Sequence, residues 1–411
     1  MKCSICIFDT QVQNNGLDNG LDKTKQSLEK NQKFISEIIV TTSNSKINET
    51  KDIRYLNVQS PNIANHYNNA LQEAHSDYLL FLSPNIELED ETLEEFAEIV
   101  EEYPDADIIY PNEVIIAGDE EKIKNYSDWY GKEKELISSL AIEDHLPQWA
   151  VLVKKETLQK LGGFDPKYGE HSWYAFIYKN LENLKLKLSD LSFVNHYDTS
   201  SFIDTSYRSL LIRDIVKQYG FHKLFPALNW KNENIALATA NTLVGNRLAI
   251  YYDYFNASNF YRNALLAFHN QETLKKLLEA YYQMGLFEEM EKLLQTQDAN
   301  PELIQDYEEK IKNTQELIKA LENSIKEGHA AEILMAASDI AQYYQGAPIY
   351  NILGVIHFIK GDLLEAYRFF YKAVTMNPLD NDIIHNLIDL AKQLKKEDEV
   401  IGLMNRLTKE V

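Results

Sequence analysis

Residues Ala347–Pro378 read APIYNILGVIHFIKGDLLEAYRFFYKAVTMNP, and this stretch decides the fold of the second half of the chain. Apolar and small residues recur at helical spacing on both sides of a turn signal at Gly361-Asp362. The first side carries Tyr350, Leu353 and Gly354, and the second carries Ala366, Phe370 and Ala373. Small side chains at Gly354 and Ala366 would let two helices approach closely. The stretch therefore predicts a helical hairpin that ends at Pro378.

The order of these residues resembles the tetratricopeptide (TPR) repeat. A looser version follows over residues 384–407, an earlier one covers residues 274–294, and residues 236–270 read as an aromatic-rich helical hairpin. The resemblance implies several stacked units, because one such hairpin cannot bury its apolar face alone. We predict a TPR-like α-solenoid over residues 236–411, preceded by a connecting helical segment over residues 206–235.

Residues 1–205 have a different pattern, in which short apolar runs alternate with amphipathic stretches. The runs predict strands at Ser4–Phe8, Glu37–Thr41, Ile53–Asn57, Tyr78–Leu82 and Asp107–Tyr110. The amphipathic stretches predict helices at Thr24–Phe34, Ile63–Ala74 and Glu91–Tyr103. This alternation favours an α/β domain with a mostly parallel sheet, whose ligand site would lie at the carboxyl ends of the strands.

Four landmarks in residues 1–205 resemble the family 2 glycosyltransferases. An Asn-bearing helix at residues 62–70 leads into the apolar strand Tyr78–Leu82, and Leu161-Gly162-Gly163-Phe164-Asp165 resembles the family's Gly-Gly-Phe-Asp turn. Glu170-His171 falls where the family usually has Glu-Asp, and His196 falls near its late metal-binding histidine. The resemblance implies a GT-A fold, a UDP- or GDP-sugar donor, and sugar transfer to an acceptor hydroxyl.

The chain departs from this family where its chemistry is done. The family's Asp-x-Asp motif binds a divalent cation that neutralises the leaving diphosphate, but this chain has Ser83-Pro84-Asn85 there. Hydroxyl and amide groups carry no charge to hold a hard cation, which argues against a metal and leaves His196 as the metal-ligand candidate. Thr41-Thr42 replaces the acidic end of the second strand.

The candidate site residues follow from these positions, each beside a structural alternative. Glu170 and His171 are candidates for the general base, with a surface loop as the alternative for His171, and Asp165 is either catalytic or a turn cap. Donor contacts are predicted for Ser83, Asn85, Thr41, Thr42 and Asn68, the last of which could instead brace its strand. Trp149 and Trp173 would stack on a sugar or pack in the core.

One acidic motif and one cysteine motif look like metal-binding patterns but are interpreted as structural. Asp105-Ala106-Asp107 spells Asp-x-Asp but follows a predicted helix and opens a strand, which is the wrong place for the family's metal site. Cys3 and Cys6 form a CxxC within a predicted strand, where residues three apart point to opposite faces. We therefore expect neither motif to hold a metal.

The charge balance limits the classes of partner. The chain has 411 residues with 63 acidic and 41 basic side chains, a formal charge of −22. Such a field repels nucleic acid and anionic lipid, and no segment approaches the length of a membrane span. We expect a cytoplasmic protein with a protein or peptide partner bound by the helical half.

Two functions remain open from the sequence. The chain is either a glycosyltransferase that modifies a protein or soluble glycan acceptor, or a non-catalytic relative. A glycosyltransferase with these residues could work without a metal ion. In the second case the chain would act as a scaffold or partner of an active glycosyltransferase.

Overall fold

The computed structural model describes residues 1–9, 20–43, 53–60, 62–127, 146–197, 204–296 and 299–408. The chain divides into two compact units, Met1–Ser201 and Phe202–Val411. The first is an α/β unit built on one sheet and the second is all-helical.

Nine strands form the sheet of the first unit within its described residues. They are β1 (Cys3–Asp9), β2 (Ile35–Thr42), β3 (Arg54–Asn57), β4 (Tyr78–Leu82), β5 (Ile86–Leu88), β6 (Ile108–Ala117), β7 (Glu120–Lys124), β8 (Val151–Lys154) and β9 (Leu186–Tyr197). Their order across the sheet is β3-β2-β1-β4-β8-β6-β9-β5, with β7 paired to β6.

The sheet is mixed, which corrects the predicted mostly parallel arrangement. Strands β3, β2, β1 and β4 run parallel, as the alternating pattern predicts. The reason for the difference is β8, which inserts antiparallel between β4 and β6 and reverses the direction at the centre of the sheet. Beyond it, β6 and β9 are parallel again, while β5 pairs antiparallel with β9.

Five α-helices accompany the sheet in the described residues of this unit. They are α1 (Gly20–Leu28), α2 (Ile63–Glu73), α3 (Thr92–Glu102), α4 (Lys155–Lys160) and α5 (Ser172–Asn180). Helix α1 both begins and ends earlier than the predicted Thr24–Phe34, and buried Asn31 lies just beyond its end. Asn31 donates to Ser27 O and Glu89 O and accepts from Leu93 N.

Both cysteines lie in β1, whose seven residues are all buried. They are free thiols, and burial raises the pKa of Cys3 to about 12 and the pKa of Cys6 still further. A thiol with so high a pKa is a poor nucleophile and a poor metal ligand at neutral pH. Both cysteines therefore lie in a buried strand, as the apolar run at residues 4–8 predicts.

The second unit contains eleven helices in its described residues. They are α6 (Ser206–Leu224), α7 (Glu233–Ile250), α8 (Tyr254–Ala267), α9 (Gln271–Met284), α10 (Phe287–Thr296), α11 (Pro301–Lys326), α12 (Leu334–Tyr343), α13 (Ala347–Lys360), α14 (Leu363–Met376), α15 (Asn381–Leu394) and α16 (Glu397–Thr408). No helix in the described parts of the chain combines the length and the apolar character needed to cross a membrane.

The hairpin predicted from residues 347–378 is present as α13 and α14. Gly361 ends α13 with φ of +84°, a left-handed conformation that favours glycine. A Cβ at Gly354 would lie 2.5 Å from the Phe370 ring, so the ring packs directly on the α13 backbone. Phe370 therefore fills the space within its own hairpin.

The first and last helices of this unit contact each other. Helix α6 packs against α16 as well as against α7, so residues 206–224 are part of the helical unit's packing rather than only a connection. An open solenoid contacts only neighbouring repeats. The helical unit is consistent with repeated hairpins, but its two ends meet.

Candidate functional site

The carboxyl ends of β1, β2 and β4 form the edge at which the sequence places the site. Asp9 pairs in register with Thr42, and Ile7 pairs with Leu82, directly before Ser83. Thr41 and Thr42 are both buried at this edge. The two threonines thus lie where a donor contact is predicted, and that role stays a prediction.

Asp9 is a residue that the sequence analysis missed. It is 8% exposed and is the register partner of Thr42, the position where the family resemblance implies an acidic residue. The signal that was available is its place directly after the apolar run Ile5–Phe8. An acidic residue ending a buried strand stands at the ligand-binding edge of such a sheet.

The turn Ser83–Ile86 carries two further residues predicted to contact the nucleotide-sugar donor, Ser83 and Asn85. Ile86 N donates to Ser83 O at 3.1 Å, and Asn85 N donates to Ser83 Oγ at 3.4 Å. From α1, Thr24 Oγ1 donates to Pro84 O at 2.8 Å. The turn is therefore held in one conformation by its own backbone and by a buried threonine.

Strand β9 brings His196 to this turn. His196 pairs with Ile86, and Tyr197 N donates to Asn85 O at 3.0 Å. Tyr197 Oη donates to Glu87 Oε2 at 3.1 Å, so the carboxylate nearest to this turn in sequence already accepts a hydrogen bond. His196 is thus adjacent to the turn, as the landmark order predicts, and its role as a ligand stays a prediction.

Asn68 braces the Gly-Gly-Phe-Asp turn. Its Nδ2 donates to Phe164 O at 2.7 Å and its Oδ1 accepts from Phe164 N at 2.9 Å. A Cβ at Gly163 would lie 2.7 Å from the same Oδ1. These bonds support the bracing alternative, while a donor contact by Asn68 remains untested.

A buried histidine lies on the same helix, α2. His66 is 1% exposed, and its Nε2 lies 2.7 Å from Ser60 O. Burial lowers the pKa of His66, against the opposing effects of the Ser60 and Thr41 backbone and of Asp9. Burial therefore favours the neutral imidazole beside the edge where Thr41 and Asp9 lie.

Asp165 caps the short 3-10 helix Pro166–His171. Its Oδ1 accepts from Lys167 N at 3.0 Å, and its Oδ2 lies 4.0 Å from Lys179 Nζ. This is the geometry of the turn-cap alternative. A catalytic role for Asp165 has no geometric support beyond its place in the same segment as Glu170.

Glu170 and His171 are joined to the end of β4 through the segment that precedes β8. Gln148 Nε2 donates to Glu170 O at 2.8 Å, and Ala150 N donates to Phe81 O at 2.9 Å. Residues 148–150 therefore connect the Glu170-His171 segment to the end of β4. The His171 ring lies 6.0 Å from that of Tyr174. The two base candidates thus lie at the same edge as Ser83.

The two tryptophans have different environments. Trp173 is 1% exposed within a cluster of aromatic rings that includes Phe81 and Phe164, and its Nε1 donates to Pro147 O at 3.2 Å. Trp173 therefore packs in the core and cannot stack on a sugar. Trp149 is only partly buried, and its ring lies 6.2 Å from that of Tyr67.

Asp105 and Asp107 both make contacts with neighbouring elements. Asp105 pairs with Lys185 at 2.7 Å on the surface. Asp107 accepts from Thr157 Oγ1 at 2.5 Å and from Lys185 N at 2.9 Å, which joins the start of β6 to α4 and β9. Across the described residues, no group of three or more His, Cys, Asp or Glu side chains could hold a metal ion.

A cavity of about 400 Å³ lies at the opposite edge of the sheet, beside the start of β4. Residues 75–78 and 154–156 line much of it. Lys155 Nζ donates there to Ala74 O at 2.5 Å, so part of its basic lining is already hydrogen-bonded. The predicted site residues lie at the other edge.

No family model matches the chain, and a search of curated proteins finds no match. Among solved structures, the chain is similar to S. aureus TarS 1-349, with 11% identity and a TM-score of 0.44 over 76% of this chain and 92% of that one. The same fragment in complex with UDP-GlcNAc gives 12% identity and a TM-score of 0.43, with the same coverage. A structure of S. aureus TarS gives 13% and 0.42, over 71% of this chain and 53% of that one.

Proposed function

We propose that this protein transfers a sugar from a UDP- or GDP-sugar to a hydroxyl of a protein or soluble glycan acceptor. One observation carries the proposal. Ser83-Pro84-Asn85, Thr42, His196 and the Glu170-His171 segment are far apart in sequence but lie at one edge of a mixed sheet. This is the edge at which α/β sheets bind ligands.

On the donor side, the proposed contacts are neutral. Ser83 and Asn85 supply a hydroxyl and an amide beside the path of the diphosphate, and Thr41 and Thr42 supply hydroxyls at the end of β2. The turn that holds Ser83 and Asn85 is fixed by the bond from Thr24 to Pro84 O, 2.8 Å long. A prefixed turn loses little conformational entropy when a donor binds.

On the acceptor side, Glu170 or His171 would take the proton from the attacking hydroxyl. A general base needs to lie within hydrogen-bond reach of that proton. The bond from Gln148 to Glu170 O holds this segment beside the end of β4. Asp165 supports the same segment from its cap position.

The helical unit would hold the polypeptide acceptor. Its tyrosines supply large contact areas at low entropy cost. Several lie at partly exposed positions, including Tyr252, Tyr254 and Tyr281. An acidic chain of charge −22 would favour a neutral or basic acceptor segment.

A non-catalytic scaffold is the second candidate function. The observation that favours it is that neutral residues occupy the positions of the acids, at Thr42, Ser83 and Asn85, while Asp165 is used as a helix cap. In this case the protein would support an active glycosyltransferase.

Donor binding is the first test of the proposal. Isothermal titration with UDP-GlcNAc, UDP-glucose and GDP-mannose, with and without Mn²⁺, is expected to detect one donor in the micromolar to millimolar range, a typical span for enzyme substrates. The double variant Ser83→Ala/Asn85→Ala should weaken it at least about tenfold, the loss of one or two hydrogen bonds. Asp105→Asn, which alters a surface pair at the start of β6, should bind as the wild type does.

Turnover distinguishes the two candidate functions. With the donor so identified, Glu170→Gln and His171→Ala are tested for loss of sugar transfer; a general base is worth about 10²–10⁴-fold. Donor binding without turnover, combined with co-purification of another glycosyltransferase, would favour the scaffold. If the wild type binds no nucleotide sugar, with or without Mn²⁺, the proposed sugar transfer is wrong. A scaffold that keeps a donor site would be wrong as well.

A further inference from the structure

The divalent cation that the family resemblance implies does not fit the turn after β4. Ser83 and Asn85 present a hydroxyl and an amide, and Glu87 accepts a hydrogen bond from Tyr197 at 3.1 Å. Hard cations bound by few protein ligands need carboxylate oxygens. The described residues contain no cluster of His, Cys, Asp or Glu at which such an ion could be held instead.

A lysine lies beside this turn. Lys23 is exposed on α1, next to Thr24, which is buried and donates to Pro84 O at 2.8 Å. The Lys23 ammonium lies 5.0 Å from the centre of the Tyr197 ring. Tyr197 is in turn bonded to Asn85 O at 3.0 Å. Contacts from two directions therefore fix Lys23 at the Ser83–Asn85 turn.

Lys23 differs from the nearby lysines because it forms no ion pair with a carboxylate of the described residues. Lys25 lies 3.8 Å from Asp22 and 3.3 Å from the Tyr55 hydroxyl, and Lys30 and Lys33 pair with Asp90 and Glu94. Lys23 makes no ion pair with any residue that the structure describes. In a chain of charge −22, a cation without a carboxylate partner at the ligand-binding edge is available to an anionic ligand.

We propose that the Lys23 ammonium takes the place of the divalent cation and binds the diphosphate of the donor. This inference rests on the proposed function. In the transfer step, the bond from the sugar C1 to the β-phosphate oxygen breaks and its electron pair stays on that oxygen. The acceptor oxygen forms the new bond to C1 and loses its proton to Glu170 or His171. Lys23 neutralises the charge that develops on the leaving diphosphate.

The neighbouring groups suit this role. The Tyr197 ring face holds the ammonium by a cation–π contact without neutralising it. The buried Thr24 anchors α1 to the turn, so the lysine backbone cannot drift away from the phosphate path. Ser83 and Asn85 would then complete the contacts with neutral donors.

The test compares Lys23→Ala, Lys23→Arg and Lys30→Ala in the full-length protein. Isothermal titration with UDP and with uridine, both without metal, separates phosphate binding from base binding; GDP and guanosine take their place if the donor identified above is a GDP-sugar. Lys23→Ala is expected to weaken UDP binding about tenfold or more and to leave uridine binding unchanged, because only the diphosphate meets the ammonium. Lys23→Arg should retain most of the UDP affinity, and Lys30→Ala should match the wild type.

Transfer activity gives the second readout. In other enzymes, removing one hydrogen-bond donor that stabilises developing charge lowers kcat by about 10²–10³-fold. Lys23→Ala should lower kcat by a similar factor. Equal UDP affinity and equal kcat in Lys23→Ala and wild type would overturn the role of Lys23 and leave the proposed function standing. Absence of UDP and nucleotide-sugar binding in the wild type would overturn both.

Discussion

At the residue scale, the Gly-Gly-Phe-Asp turn contains two adjacent glycines with different constraints. Gly162 and Gly163 have φ of +88° and +71°, which other L-residues adopt only with strain. They differ in surroundings: a Cβ at Gly162 meets nothing within 4 Å, whereas one at Gly163 lies 2.7 Å from Asn68 Oδ1. A side chain at either position would strain the backbone, but only a side chain at Gly163 would also collide with a neighbour.

Gly163→Ala is expected to destabilise the first unit more than Gly162→Ala. The backbone cost should be about 1–2 kcal/mol for both. At residue 163 the new methyl also displaces the Asn68 amide from Phe164, which should add about 1–3 kcal/mol for the two broken, partly buried hydrogen bonds. Urea denaturation followed by circular dichroism measures the free energy of unfolding. Equal losses in the two variants would show that the Asn68 brace contributes nothing.

Histidine and aspartate at the carboxyl edge illustrate why residue identity alone is a poor guide to a site. His66 is buried and Asp9 is nearly so, and neither belongs to a recognisable motif. Their significance comes from position, since Asp9 is the register partner of Thr42. The family resemblance implies an acid at the end of β2, while the structure has one on the neighbouring strand, β1.

At the element scale, the α13–α14 hairpin is determined by one close contact. The Phe370 ring packs over Gly354, where a Cβ would approach the ring carbons to 2.5 Å. Both residues are buried. This is the type of contact that sequence patterns with small residues at fixed positions anticipate.

Gly354→Ala is expected to destabilise the helical unit despite the better helix propensity of alanine. Propensity alone would stabilise by up to about 1 kcal/mol, whereas overpacking against the ring costs about 1–3 kcal/mol. In a Phe370→Leu background the conflict should largely disappear and the same substitution should become neutral or stabilising. A double-mutant cycle by chemical denaturation measures this coupling. Identical effects in the two backgrounds would mean that the ring moves aside without cost.

At the scale of the whole molecule, the helical unit is closed by a polar network between its first and last helices. Arg406 on α16 donates from Nη2 to Asp204 at 2.7 Å and from Nε to Ser206 Oγ at 2.8 Å. Asn256 donates to Leu407 O at 3.0 Å, which ties α8 to the same end. The Arg406 and Asp204 side chains are only 11% and 14% exposed.

Arg406→Ala is expected to loosen both ends of the helical unit. Removing one partner of a largely buried ion pair costs about 3–5 kcal/mol, because the other charge stays behind. Hydrogen exchange should show faster exchange in α6 as well as in α16, although Ser206 and Arg406 are 200 residues apart in the chain. Arg368→Ala is the control, since its pair with Glu365 is on the surface and worth little.

In an open stack, by contrast, the effect of Arg406→Ala would stay within α16 and its immediate neighbour. Protection in α6 that is unchanged from the wild type would therefore contradict the closed arrangement.

The sequence by itself determined the types of element and the local contacts within them. The apolar runs at residues 4–8 and 78–82 became β1 and β4, and the spacing around Gly361 became the α13–α14 hairpin. These features follow from local periodicity, turn residues and side-chain size, which the order of residues states directly. The presence of Ser83 and Asn85 in place of the family's two aspartates is also evident from the sequence alone.

Only the tertiary structure decided which distant segments meet. The antiparallel insertion of β8, the pairing of His196 with Ile86, the register of Asp9 with Thr42 and the contact of α16 with α6 all join residues far apart in the chain. Periodicity tells which face of an element is buried but not which partner buries it. The location of Lys23 beside the Ser83–Asn85 turn depends on that choice of partners, and this is why the cation proposed for the site could not be found from the sequence.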